Sequence, residues 1–191
     1  MKKLKLLKFS KKELRNDFYP LFLNLMKGGY EIEAFILILS TWNFGRFRFV
    51  VTHFELDKFK KNLKKLEYLL KKFKNLDFRT INFDRYEKEI KKIFKTLMDI
   101  KGIEKTGTSK LMHIRIPKVF VMWDSYIRNY YGFDRGDADD YFNFLKKMQD
   151  KFKDYQVPSA ERTFVKYIDE HNYKTITESI LKKSREDRGI K

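Results

Sequence analysis

Apolar residues recur at helical spacing along nearly the whole chain, and polar capping signals divide them into segments. Ser10 and Glu13 form a capping-box pattern ahead of Leu14, Phe18, Leu21, Phe22 and Leu25. Pro20 falls inside that pattern and is expected to kink or interrupt the helix, which Gly28 and Gly29 then end. Residues 31–42 are almost all apolar, as suits a helix buried on most sides. In 42–51, WNFGRFRFVV, Gly45 breaks the run and Arg46 and Arg48 alternate with aromatics. Thr52 and Glu55 make a second capping box before a stripe of Leu56, Phe59, Leu63, Leu66, Leu70 and Phe73. Asp84 and Glu87 start a helix carrying Ile90, Ile93, Phe94, Leu97 and Met98 inward.

The stretch 99–133 is organised differently. It reads as a turn over 99–106, a short helix over 107–114 carrying Lys110, and a break at Pro117 that pushes Ile116 toward an extended conformation. Asp124 is placed as the N-cap of a helix through Tyr131, and Gly132 ends it. Asp137 opens an amphipathic helix with Tyr141, Phe142, Phe144, Leu145 and Met148, and Pro158 and Ser159 begin a final helical pair. With no fixed-period repeat and no linker, residues 1–191 are expected to form a single all-α domain of about eight helices, with 184–191 as a frayed tail.

Composition narrows the function classes. Hydrophobic residues at 42% and aromatics at 17% exclude disorder by composition. No apolar run approaches the roughly 20 residues of a membrane span, and no signal-peptide pattern opens the chain, so a cytoplasmic protein without a membrane partner is expected. The lack of cysteine excludes disulfides and thiolate metal sites, and three histidines argue against a metal centre; neither metal nor other cofactor is expected. The net charge of +17 attracts polyanions, which makes nucleic acid the expected partner. Richness in Lys, Phe, Ile and Tyr also follows from an A/T-rich genome or thermophilic selection, but such bias usually raises Glu alongside Lys, and here the balance is lopsided. The lysines at 58, 61, 64, 65, 71, 72 and 74 could face phosphates or simply be a solvated surface.

Only in 99–133 do an amine, a carboxylate and a possible phosphate-binding turn occur together. Gly107, Thr108 and Ser109 read as helix N-terminal amides flanked by Lys101, Lys105 and Lys110, or as an ordinary helix start. Turn, short helix, extended break, aspartate-capped helix and closing glycine resemble the helix-hairpin-helix DNA glycosylase superfamily, which includes endonuclease III and the 8-oxoguanine glycosylases. MWDSYIRNYYGF is similar to that family's "V-D-x-x-V-x-R-L-G" segment, with Asp124, Ile127, Arg128 and Gly132 in the corresponding places. The resemblance spans about a sixth of the chain. It departs from the usual "L-P-G-V-G" hairpin, because Gly102 and Gly107 are five apart, and Lys110 and Asp124 stand 124 − 110 = 14 positions apart, closer than is usual for the family. TWNFGRF, SKLM and WDSYI are also similar to a group of uncharacterised proteins with "W-G-M-x-R-G", "T-K-I-L" and "Y-D-R-Y-F" segments.

The resemblance implies a DNA-repair glycosylase, with or without AP-lyase activity, excising a damaged base from double-stranded DNA. Lys110 would be the nucleophile and Asp124 the carboxylate that stabilises positive charge on the sugar. Lys101, Gly102, Lys105, Gly107, Thr108, Ser109 and Arg128 would meet the nucleic-acid backbone, and Trp42, Phe44, Phe47 and Trp123 would line the pocket for the extruded base. Two plainer readings stand beside these. Asp124 could serve only as a helix cap, and each aromatic could belong to the core. The competing function is a non-catalytic nucleic-acid-binding domain on the same scaffold.

Overall fold

The structure is a computed structural model that describes residues 5–6, 18–158, 160 and 162–189. The expected Ser10–Glu13 capping box lies outside them. The class is all-α, and ten α-helices form among the described residues: α1 Tyr19–Lys27, α2 Glu31–Trp42, α3 Phe44–Val50, α4 Leu56–Leu70, α5 Glu87–Met98, α6 Glu104–Arg115, α7 Ser125–Tyr130, α8 Ala138–Phe152, α9 Phe164–Asn172 and α10 Ser179–Glu186. Lys5–Leu6 pair in parallel with Tyr155–Gln156, a two-residue bridge tying the chain start to the segment after α8. A π-helical turn, Tyr173–Glu178, joins α9 to α10 without a break.

Several local signals resolve differently from expectation, each for a definable reason. Pro20 starts α1 instead of kinking it, because a proline in the first turn gives up only an N–H that has no helical partner there. Thr52 lies in a 3₁₀ turn and makes no box with Glu55, whose carboxylate pairs with Lys58 at 2.9 Å. Gly45 sits inside α3, where a break was expected. Asn82 accepts the N–H of Arg85 at the turn where Asp84 was expected to begin the helix. The helix expected to start at Gly107 begins at Glu104. At the other end, α10 runs to Glu186, into the expected tail.

The core centres on Trp123, which is 1% exposed and packs edge-on against Phe94 and Tyr141, with ring centroids 5.8 and 4.9 Å away. Each fully buried ring or Leu side chain contributes about 2 kcal/mol of transfer free energy. The α4 stripe of Phe59, Leu63, Leu66 and Leu70 joins this core, continued by Phe73 in the following turn. The α4 lysines are exposed, and Lys58, Lys71 and Lys72 pair with Glu55, Glu67 and Glu89. These exposed pairs add little stability, so this face is a solvated one that keeps the protein strongly basic. Among the described residues no helix is long and apolar enough to cross a membrane.

Candidate functional site

Lys110 projects from the middle of α6 toward the C-terminal end of α2, where its amine donates to the main-chain carbonyl of Trp42. That carbonyl belongs to the last turn of α2, where backbone acceptors lack helical partners and the helix dipole favours a cation. Desolvation dominates even so, and burial of the amine pushes its pKa down from 10.5 to about 8. The carboxylates of Asp169 and Asp124 oppose that shift, while the Lys166 ammonium reinforces it.

Asp124 ends the extended segment after α6, with φ −120° and ψ −175°. Its Oδ1 accepts the N–H of Ile127 at 2.9 Å and caps α7. Its Oδ2 accepts the hydroxyl of Thr177, in the π-helical turn, at 2.7 Å. Capping and site membership therefore coincide. Lys110 and Asp124 line one cavity of about 630 Å³, with Trp42, Asp169 and Tyr173 also in its wall. That volume lies within the range of small-molecule sites.

Lys166, Asp169 and Glu170 of this cavity, and Thr177 that bonds Asp124 beside it, were not singled out by sequence. Thr163 caps α9 through the N–H of Lys166, and the first turns of that helix carry Lys166 and its partners inward. The Lys166 ammonium lies 2.8 Å from Asp169 and 3.6 Å from Glu170, and 4.3 Å from the centroid of the Trp42 ring. Glu170 also pairs with Arg162. Lys110 and Lys166 are thus both fastened to Trp42, one on its carbonyl and the other on its ring. The only sequence signal was the i, i+3, i+4 spacing of Lys166, Asp169 and Glu170, which a chain with 36% charged residues repeats elsewhere.

The expected backbone-binding residues separate into two groups. Gly107, Thr108 and Ser109 are buried interior positions of α6, so they are not the exposed N-terminal amides expected of them. Their N–H groups fall beyond the first helical turn and have helical acceptors. A Cβ on Gly107 would meet Leu39 at 3.1 Å, so the glycine permits α2 and α6 to approach, and the Ser109 hydroxyl bonds the Trp123 main chain. Lys101 is exposed and Gly102 sits in a turn at φ +93°; neither lines either cavity. Lys105 and Arg128 do line a second cavity, of about 850 Å³, which shares Thr41, Trp42 and Asp124 with the first.

The four expected base-pocket aromatics divide as well. Phe47 is 4% exposed and packs on Phe54, and Trp123 is a core residue whose indole N–H donates to the Lys105 carbonyl. Trp123 still borders the first cavity, but its ring is committed to its neighbours. Trp42 borders both cavities, with Phe22 edge-on to its ring as well as Lys166 over it. Phe44 is 54% exposed at the second cavity, and Tyr173, also exposed, borders the first. His113 is buried beneath the site. The Phe120 carbonyl 2.7 Å from Nδ1 can only accept, so Nδ1 carries the proton and Nε2 accepts from the Tyr19 hydroxyl at 3.0 Å. Burial pushes this imidazole's pKa down to about 4.

Among the described residues no group of three His, Asp or Glu side chains is arranged to hold a metal ion. Comparison with protein-family models, with curated proteins and with solved structures finds no match.

Proposed function

We propose that the protein is a DNA-repair glycosylase with AP-lyase chemistry, using Lys110 as nucleophile and Asp124 as the charge-stabilising carboxylate. The observation that supports this reading is the shared cavity, in which an enclosed amine with a pKa of about 8 stands beside a carboxylate. At pH 7 such an amine is neutral in about a tenth of molecules, whereas an ordinary lysine is neutral in fewer than about one in a thousand. The neutral amine would attack C1′ of the extruded nucleotide while the glycosidic electron pair leaves with the base, which takes up a proton. The attacking nitrogen then loses a proton, and opening of the sugar ring yields an iminium on Lys110. Asp124 stays in place through its two hydrogen bonds and faces the positive charge that develops on the sugar. The net charge of +17 favours a polyanionic substrate.

Borohydride trapping on abasic-site duplex DNA tests the reading. A covalent adduct is expected with the wild-type chain and none with Lys110→Ala. Trapping unaffected by that substitution removes Lys110 from the chemistry. Salt-sensitive DNA binding, with neither trapping nor excision across oxidised, deaminated and alkylated bases, would instead establish a non-catalytic nucleic-acid-binding domain.

A further inference from the structure

We propose that the second cavity is an oxyanion seat, in which Asn43, Arg128 and the free amides opening α6 hold the phosphate of the nucleotide whose sugar faces Lys110. The assignment of that nucleotide rests on the function proposed above; the seat itself rests on separate observations. The 12-residue helix α6 brings Lys105 and Thr106 of its first turn to the cavity wall. Amides in that turn have no helical acceptor and sit at the positive end of the helix dipole. Asn43 also lines the cavity and is 8% exposed, yet its Nδ2 has no hydrogen-bond partner among the described residues. That nitrogen lies against α6 just past its first turn, 3.3 Å from where a Cβ on Gly107 would stand.

Arg128 supplies the charge. Its Nε and Nη1 are buried without partners among the described residues, and the guanidinium lies over the Trp123 ring at 5.6 Å. At Gly136, with φ +60°, a Cβ would stand 1.9 Å from Nη1, so only glycine leaves room for the guanidinium there. Buried donors left unpaired are costly, and an oxyanion is the complement that satisfies several at once. The carboxylates bordering the cavity are already engaged. Glu104 pairs with Arg46 at 3.1 Å, and Asp124 accepts from Ile127 and Thr177. Lys105 and Arg128 remain as the excess positive charge. Because the two cavities share Thr41, Trp42 and Asp124, a phosphate in one and its own sugar in the other is the arrangement a single nucleotide unit would take.

The test is a titration of the ¹⁵N-labelled full chain with inorganic phosphate at constant ionic strength, followed by NMR. The expected result is saturable shifts at the Asn43 side-chain amide and at the Lys105 and Thr106 amides. Arg128→Met should weaken this binding roughly tenfold or more, the usual scale for a charge-assisted pair. Asn43→Asp, which changes the side chain by one atom type and keeps its shape, should abolish it by repulsion. Lys61→Ala, on the exposed face of α4, should leave it unchanged. Shifts confined to surface lysines, or equal affinity in Asn43→Asp and Arg128→Met, would overturn the seat. Borohydride trapping without a phosphate response removes the seat and leaves the glycosylase reading. A phosphate response without trapping does the reverse.

Discussion

Replacing Lys110 with methionine should stabilise the protein at neutral pH, and the gain should reverse sign as the pH rises. The amine's pKa falls from 10.5 to about 8 on folding, so below pH 8 the folded state carries a penalty of about 3 kcal/mol for holding this proton. The unfolded chain binds the proton more tightly, so stability rises with pH between about 8 and 10.5 and the penalty is gone above that window. Lys110→Met removes the penalty but leaves the Trp42 carbonyl without its donor, a loss of about 1 kcal/mol. The variant should therefore be more stable than wild type by about 2 kcal/mol at pH 7, and less stable by about 1 kcal/mol at pH 10.5. Urea melts of both chains from pH 6 to 10.5 measure the difference, and other titrating groups cancel in the subtraction. A variant equally or less stable at pH 7, with a difference flat in pH, would refute the claim that desolvation controls this amine. The same measurement bears on function, since a residue that costs this much to bury is retained for something other than stability.

Two more perturbations probe the surroundings of the site. His113 is neutral in the folded state down to about pH 4, whereas its unfolded value is 6.5, so the native state loses about 3 kcal/mol as pH falls through that window. His113→Leu should be the less stable chain at pH 7, where it removes the imidazole that bonds the Tyr19 hydroxyl and the Phe120 carbonyl, and the gap should close by pH 4; a pH-independent gap in thermal melts would count against a buried neutral imidazole. Thr177→Val should cost about 1 kcal/mol and Asp124→Ala about 2–3 kcal/mol, and a double-mutant cycle should return a coupling of about 1 kcal/mol. Additivity within about 0.3 kcal/mol would mean that the Thr177–Asp124 hydrogen bond contributes nothing to stability.

The all-α class was legible because helix signals are local. Asp124 and Asp137 announced the starts of α7 and α8, and the Phe59–Phe73 stripe announced the buried face of α4. What failed was also local. Gly107 looked like a turn residue, but it is a contact glycine inside α6, and a glycine's sequence neighbours do not record which helix crosses it. Lys110 and Asp124 were legible as a pair of chemically apt residues. Lys166 and Asp169, which line the cavity, and Thr177, which bonds Asp124, were not, because α9 and the π-helical turn come to the site only through long-range packing. The base-pocket expectation was weakest where composition is richest. In a chain with 19 Phe and 11 Tyr, sequence cannot separate Phe47 in the core from Phe44 at the surface.

The π-helical turn makes the geometry around Asp124 a matter of segment length. A π turn holds one residue more than the α turn it replaces. Deleting one residue between Tyr173 and Glu178 would let the helix run straight from α9 into α10 with ordinary hydrogen bonding. Because five α residues turn the chain through about the same angle as six π residues, α10 would keep its facing and the change would be confined to the turn itself. The hydrogen bond from Thr177 to Asp124 depends on that wider turn, so it would be perturbed although no side chain in the cavity had been substituted. In any set of related chains, a single-residue gap at this turn would therefore mark a reorganised site more reliably than changes among the aromatics around it.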